Sequence, residues 1–278
     1  MDKLLLHSMI RAFLREDVGR GDITSESIFS ENEMGSAKLV ARDSFTVAGV
    51  ESVAAEVFKI QNPTVICVDA VEDGTLSAPN LPLLTVSGPA VDLLKAERVA
   101  LNLLQRLSGI ATLTAQFVEK VRAYPVRITD TRKTAPGLRV LDKYAVRVGG
   151  GANHRFNLTD GVLIKNHHIA VCGSIKYAVR MVRGEIPHTI RVEVETHTLE
   201  QVEECLSLGV DIILLDKMTP EIMSKAVRLI NGRALVEASG GVNLKTVEAV
   251  AMTGVDIISI GALTHSAPFR DIGMDWSL

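Results

Sequence analysis

The sequence predicts a two-part protein: an α+β N-terminal domain followed by a TIM-like α/β barrel, complete or incomplete. Three observations lead there. From residue 190 onward, short apolar runs rich in β-branched residues alternate with helical segments. Strand starts fall about 21 to 24 residues apart, the spacing of successive βα units in a parallel sheet. Polar and small residues collect at the C-terminal ends of those runs, where (β/α) barrels gather their function.

Taken in order, the first segment is a helix over about 3–15. Strand-like runs follow: SAKLVAR (36–42), FTVAGV (45–50), TVICVDA (64–70) and LPLLTVSG (81–88), separated by Gly, Pro, Asn and Asp turns. Residues 93–124 are strongly helical, with a break expected at Ser108-Gly109. The domain boundary is drawn there, giving 1–108 and 109–267, with a tail of about 268–278 that can pack back on the first domain.

The βα series then begins with VRITDT (126–131) and GVLIKN (161–166). It continues as strand 190–196, helix 199–209, strand 210–216, helix 220–232, strand 234–241, helix 244–254 and strand 255–262. Thr198, Thr219 and Asn243 stand as N-caps, Pro220 at a first helical position, and Gly209, Gly232 and Gly254 at helix ends. About six parallel strands do not establish closure, and a doubly wound sheet fits the same count. The strand ends decide for the barrel: Thr131-Arg132-Lys133, Lys165, Glu195, Asp216, Ser239-Gly240-Gly241 and Gly261-Ala262 form a coherent mouth.

Composition bounds the function. The chain has 278 residues, 47% hydrophobic and 23% charged, enough for a large core. No apolar run reaches the roughly 18 residues that would span a bilayer, so no membrane role is expected. Its start, MDKLLLHSMIRAFLRED, lacks the pattern of a secretory signal. Three scattered cysteines, Cys67, Cys172 and Cys205, form no framework, which suits a reduced cytoplasmic protein.

Charge is unevenly placed. The chain is −3 overall, yet the stretch from Arg127 to His168 carries eight Lys or Arg against three Asp, with Gly149-Gly150-Gly151 among them. Such a concentration implies an anionic ligand. The three glycines lack the GxGxxG spacing of a dinucleotide site. A nucleic-acid partner is not expected and ranks well below an enzyme's anionic substrate, because the cations sit between apolar strands, aromatics are only 4% and the whole chain is acidic.

Singly, the polar residues are weak signals. Lys165 could serve a Schiff base, but strand-end lysines commonly reach solvent. Glu193 and Glu195 share one face of a strand and could bind metal, move a proton or form salt bridges. Asp216 ends IILLD, where loss of hydration needs a reason. His167-His168 makes a poor metal pair, since adjacent residues on an extended chain point oppositely. Together they suit a polyanionic, phosphorylated substrate that also carries carboxylates.

The block TRKTAPGLRVLDKYAVRVGGGANHR, followed by LIKNHHI, EVET, ILLDKM, EASGGV and TGVDIISIGALTHSAP, resembles the quinolinate phosphoribosyltransferase family. EDVGRGDIT and AERVALNLLQRLSGIAT extend the likeness over nearly the whole chain. The resemblance implies transfer of phosphoribosyl from phosphoribosyl pyrophosphate (PRPP) to quinolinate with decarboxylation, giving nicotinate mononucleotide for NAD synthesis. It implies that Arg132, His154, Arg155 and Lys165 surround the two carboxylates of quinolinate. Arg98 would join them from a neighbouring subunit, in a homodimer or a hexamer of dimers with shared active sites. Thr131 and Lys133 would lie alongside, Lys133 near the pyrophosphate. Glu195 and Asp216 would take the ribose hydroxyls and Mg²⁺, the cofactor that comes with PRPP. Ser239-Gly240-Gly241 and Ile260-Gly261-Ala262 would cradle the 5′-phosphate. Catalysis is thereby expected from Lys133, Lys165, Glu195 and Asp216. The family usually reads LIKDNHI and LDNM where this chain has LIKNHHI and LDKM, so Asn166, His167 and Lys217 are departures.

Overall fold

The structure, a computed structural model, describes residues 1–30 and 32–277. The chain divides into two compact units, and not at a single cut. The first comprises Met1–Leu113, Val140–Gly149 and Ala267–Leu278, and the second Thr114–Arg139 and Gly150–Ser266.

The first unit is built on a four-stranded antiparallel sheet of β1 (Met34–Ala41), β2 (Ile66–Val68), β3 (Pro82–Pro89) and β10 (Ile272–Trp276), in the order β10-β1-β3-β2. The C-terminal strand is locked in register along β1, from Ala37 opposite Trp276 to Ala41 opposite Ile272. Its core holds Phe45, Phe58, Leu83, Leu84, Leu93, Leu104 and Leu107, all fully buried. The first helix runs Lys3–Val18, capped by the Asp2 side chain, which accepts the Leu5 N–H.

Two local expectations are corrected here. FTVAGV is not a strand: it makes only an isolated bridge at Thr46 and then turns at Gly49 (φ 92°) into a helical turn beginning at Val50. Its main chain is satisfied by a mixture of partners: Phe45 N–H donates to Ser77 Oγ, Thr46 N–H to Thr112 Oγ1 and Ala48 N–H to Ser108 Oγ, while Val47 N–H donates to the Thr75 carbonyl at 2.9 Å and the Phe45 carbonyl accepts from Ser77 N–H at 2.8 Å. The helix expected to break at Ser108-Gly109 runs unbroken over Ala90–Lys120. Both residues serve packing instead. Ser108 Oγ accepts the Ala48 N–H, and a Cβ at Gly109 would lie 2.1 Å from the Pro268 carbonyl oxygen.

The second unit carries the parallel sheet. Its strands are β4 (Arg127–Thr129), β5 (Val162–Ile164), β6 (Val192–Thr196), β7 (Ile212–Asp216), β8 (Leu235–Ser239) and β9 (Ile257–Ser259), in the order β4-β9-β8-β7-β6-β5. The architecture is α/β and barrel-like but not closed, since β4 and β5 are the two ends of the sheet. Helices alternate with the strands as the sequence pattern requires. Thr198 and Thr219 cap two of them through their hydroxyls, and Pro220 opens the second. Asn243 instead closes a tight turn, its Oδ1 accepting the Lys245 N–H, and Thr246 takes the cap position.

The glycine triplet has a structural explanation. Gly149 follows the helix Arg139–Val148, and Gly150 adopts φ 85°, a turn that glycine makes without strain. Beyond it Ala152 runs parallel to the free edge of β4, bridging Thr129, and its N–H donates to Ile128 O at 2.8 Å.

Gly109→Ala tests the packing account. Alanine favours a helix by about 1 kcal/mol over glycine, but here its methyl meets backbone that cannot swing aside. Net destabilisation of roughly 1–3 kcal/mol is expected, read as a lowered denaturant midpoint. A stabilised variant would refute it.

Candidate active site

A cavity of about 440 Å³ opens at the C-terminal ends of the parallel strands. It is bounded by Thr131, Arg132 and Lys133 after β4, by Lys165 after β5, and by Glu195 on β6 and Asp216 on β7. Ser239-Gly240-Gly241 after β8 and Ile260-Gly261-Ala262 after β9 complete that rim, and His154 and Arg155 enter through the opening of the sheet. Every residue that the resemblance assigns to the site lines this cavity except Arg98; Glu193, His167 and His168, weighed from the sequence as metal or acid–base candidates, do not. Arg98 is exposed on the helix Ala90–Lys120.

The basic stretch is only partly a site. Arg132, Lys133, Arg155 and Lys165 reach the cavity. Lys143 and Arg147 lie on the helix Arg139–Val148, and Arg139 is tied to Thr134 Oγ1 and the Phe156 carbonyl. Arg155 is half-buried and donates to Gly161 O at 2.7 Å. Burial first, and then the neighbouring Arg132 charge, push its guanidinium below the ordinary arginine value. Two guanidinium groups crowded in a partly dry cavity repel each other, and a bound anion relieves that repulsion. Such a pair suits an anionic ligand, and the planar forks of arginine match carboxylate or phosphate.

The other wall is made of close backbone. β8 and β9 end side by side, with Ser239 opposite Ser259 and their hydroxyls 3.0 Å apart. Gly240 and Gly241 both take positive φ, 92° and 76°. A Cβ on Gly240 would lie 2.8 Å from Asp216 Oδ1, and one on Gly261 would lie 2.8 Å from Lys133 Cδ. Glycine therefore lets the Asp216 carboxylate and the Lys133 stem lie directly on the main chain. Lys133 is also fixed by its own backbone: its N–H donates to Thr131 Oγ1 at 3.0 Å and its carbonyl accepts from Thr264 Oγ1 at 2.8 Å.

Glu193 and Glu195 share a strand face but do not form one pair. Glu195 Oε1 lies 3.4 Å from His197 Nε2, and His197 Nδ1 lies 3.8 Å from Asp216 Oδ2. Among the described residues this trio is one of two groups whose ligand atoms all lie within 4.8 Å. The other is His154, Glu193 and Glu237, deeper in the sheet. The departing residues Asn166 and His167 sit in the helix Asn166–Cys172. There Asn166 Oδ1 accepts the His167 N–H and His168 Nδ1 accepts that of Lys165.

Sequence reasoning missed Glu237, His197 and His265, and the apolar walls Leu163 and Leu214. Glu237 was readable. It stands two residues before Ser239 on one strand, so the period of two that linked Glu193 to Glu195 also places it inward. His197 and His265 follow strand ends at loop positions, where no periodicity speaks.

A cavity lined by four cations, two strand-end carboxylates and two glycine-rich strand ends is suited to a transferase that handles phosphorylated, anionic substrates. Its sequence relatives agree. The N-terminal domain of quinolinate phosphoribosyl transferase matches residues 22–108, and its C-terminal domain residues 110–275. The chain belongs to the quinolinate phosphoribosyltransferase family. It is 43% identical over 278 residues to the probable carboxylating nicotinate-nucleotide pyrophosphorylase of Bacillus subtilis, covering 100% of this chain and 96% of that one. To the carboxylating nicotinate-nucleotide pyrophosphorylase of Mycobacterium leprae it is 44% identical over 273 residues, covering 96% and 95%. The crystal structure of nicotinate-nucleotide pyrophosphorylase from Ehrlichia chaffeensis superposes with a TM-score of 0.92 at 44% identity, covering 97% of this chain and 98% of that one.

Burial, followed by the Glu193 charge, pushes the Glu237 carboxyl up to about 7 from an ordinary 4.5. Between those values the folded chain holds a proton that the unfolded chain has released, so folding stability declines as pH rises through this window. Glu237→Gln removes the titration. The variant should lose less stability between pH 5 and pH 8 than the parent, by on the order of 1–3 kcal/mol. Parallel denaturation curves at the two pH values would contradict the assignment.

Proposed function

We propose that this chain catalyses transfer of the phosphoribosyl group of PRPP to the ring nitrogen of quinolinate, with loss of the 2-carboxylate as CO₂. The products are nicotinate mononucleotide and pyrophosphate, in de novo NAD biosynthesis. The observation that carries the reading is the crowding of the Arg155 guanidinium by the Arg132 charge in a cavity that Lys165 and His154 also line.

In this reading Arg132, Arg155 and Lys165 hold the two carboxylates, with His154 bordering them, and aim the pyridine nitrogen at C1 of the ribose. Thr131 and Lys133 border the departing pyrophosphate, where Lys133 meets negative charge as it develops. Ser239-Gly240-Gly241 and Ile260-Gly261-Ala262 take the 5′-phosphate on backbone N–H groups. Glu195 and Asp216 hold the ribose hydroxyls. Together with His197 they bring ligand atoms within 4.8 Å, mostly hard carboxylate oxygens suited to Mg²⁺. Bound there, the ion would neutralise pyrophosphate charge.

Once the nitrogen is ribosylated it is cationic and can hold the electron pair left at C2, so decarboxylation needs a dry, positioned ring rather than a base. Arg98, exposed on its helix, is assigned to the carboxylate end of a second copy's site, in a homodimer or a hexamer of dimers. The proposed setting is the cytoplasm, whose reducing conditions suit three free cysteines. No helix of the described residues is long and apolar enough to cross a membrane.

The reading is tested by supplying PRPP and Mg²⁺ with quinolinate or with nicotinate. Mononucleotide should form from quinolinate and not from nicotinate, which lacks the second carboxylate. Turnover of neither acid would overturn it. Within the site, Arg155→Ala should raise the KM for quinolinate by about 10- to 100-fold, the worth of a charged hydrogen bond, and leave the KM for PRPP within about threefold. Equal weakening of both substrates would disprove the division of the cavity.

A further inference from the structure

One layer below Glu195 and Ser239, on the same strand faces, lie Glu193 and Glu237, 4% and 2% exposed. Each has an oxygen, Oε1, with no hydrogen-bond partner. A single imidazole stands between them: His154 Nε2 is 3.3 Å from Glu193 Oε2 and 3.6 Å from Glu237 Oε1. The spacing would admit a metal ion, but the ring's other nitrogen decides otherwise. His154 Nδ1 accepts the Arg155 backbone N–H at 2.8 Å, so in the neutral ring the proton sits on Nε2, which then offers the carboxylates a donor and no lone pair.

The cluster therefore holds protons. Two carboxylates sharing one imidazole in dry space do not both ionise, and Glu237 faces the Glu193 charge, His154 and the Ser259 hydroxyl. A neutral Glu237 is also what a dianionic acceptor requires beneath it.

Position supplies the second half of the argument. Glu237 lines the active-site cavity together with His154, Arg155 and Lys165. It also lines a second cavity of about 370 Å³, formed at the N-terminal ends of the strands by residues such as Arg127, Asp160 and Arg191. Only His154 and Arg155 share that double exposure with it.

Resting on the reaction read above, we propose that Glu237 is the acid that delivers the proton replacing CO₂ at C2 of the pyridine ring. The C2–carboxylate bond breaks and leaves its electron pair at C2. That pair takes the Glu237 proton, forming C2–H, and the O–H electron pair stays on the carboxylate. Water entering through the second cavity returns a proton to Glu237 without crossing the nucleotide.

Single-turnover rapid quench separates the two halves of the reaction. In Glu237→Gln, pyrophosphate release should stay within about threefold of the parent, while nicotinate mononucleotide forms about 100-fold more slowly and the dicarboxylated nucleotide accumulates. Glu237→Asp keeps an acid one methylene shorter and should recover part of the second step. Mononucleotide formation at the parental rate in folded Glu237→Gln overturns the assignment, as does equal loss of both steps. Should Glu237→Gln not fold, judged by thermal melting, Glu237→Asp decides: selective slowing of the second step supports the proposal, and equal or no slowing overturns it. A parent enzyme that releases no pyrophosphate from these substrates would instead refute the reaction itself.

Discussion

A fully buried carboxylate, Asp130, holds the open side of the sheet in its working shape. It follows β4 and accepts the His154 backbone N–H at 2.9 Å and the Asn153 side-chain amide at 2.5 Å. Its own N–H donates to Ala152 O at 3.3 Å. A charge with no exposure is tolerable only when donors surround it, and here the donors come from the segment that must be steered. The chain leaving the glycine turn is thus drawn along β4 like an added strand. His154 is set toward the interior and Arg155 toward the cavity.

From this anchoring follows a vertical order of charge. Cations of Arg132, Lys133, Arg155 and Lys165 border the cavity with the carboxylates Glu195 and Asp216. Below them sit Glu193 and Glu237, nearly sealed from solvent, with the half-buried His154 between them. Were both lower carboxylates ionised, they would oppose the dicarboxylate that the cations attract. Burial resolves the conflict by keeping one of them protonated, at a cost the fold meets only at higher pH. The charge beneath the cavity and the stability of the fold are therefore linked through the same proton.

Much of this was legible because parallel strands write their two faces and their ends plainly. The apolar runs placed β6 to β9 within a few residues, and strand-end polarity located the cavity. Legibility failed where tertiary contacts override local signals. Gly109 reads as a helix break, yet it exists for the Pro268 carbonyl, which is distant in sequence. FTVAGV reads as a strand, yet side chains of Ser77, Ser108 and Thr112 take three of its N–H groups and leave it only an isolated bridge. The segment Val140–Gly149 interrupts the βα series and belongs to the first unit, a detour that no periodicity announces. Glu237 went unread for a different reason: its inward face was implied, but nothing in LVEAS marks a carboxylate as protonated.

Lys217 shows how a departure can be absorbed without moving the site. Its φ of 55° is left-handed, a conformation that asparagine, usual at this place in the family, adopts more readily than lysine. Holding a lysine there costs on the order of 1–3 kcal/mol unless the surroundings enforce it. They do: the Lys217 N–H donates to Ser239 O at 2.9 Å, continuing the pairing of β7 with β8. Gly240 removes the remaining obstacle, since a Cβ there would lie 2.5 Å from Lys217 Cγ. The turn that aims Asp216 is consequently fixed by the sheet and by the glycine, whatever residue occupies position 217. The lysine alters the charge beside Asp216 and leaves its direction unchanged.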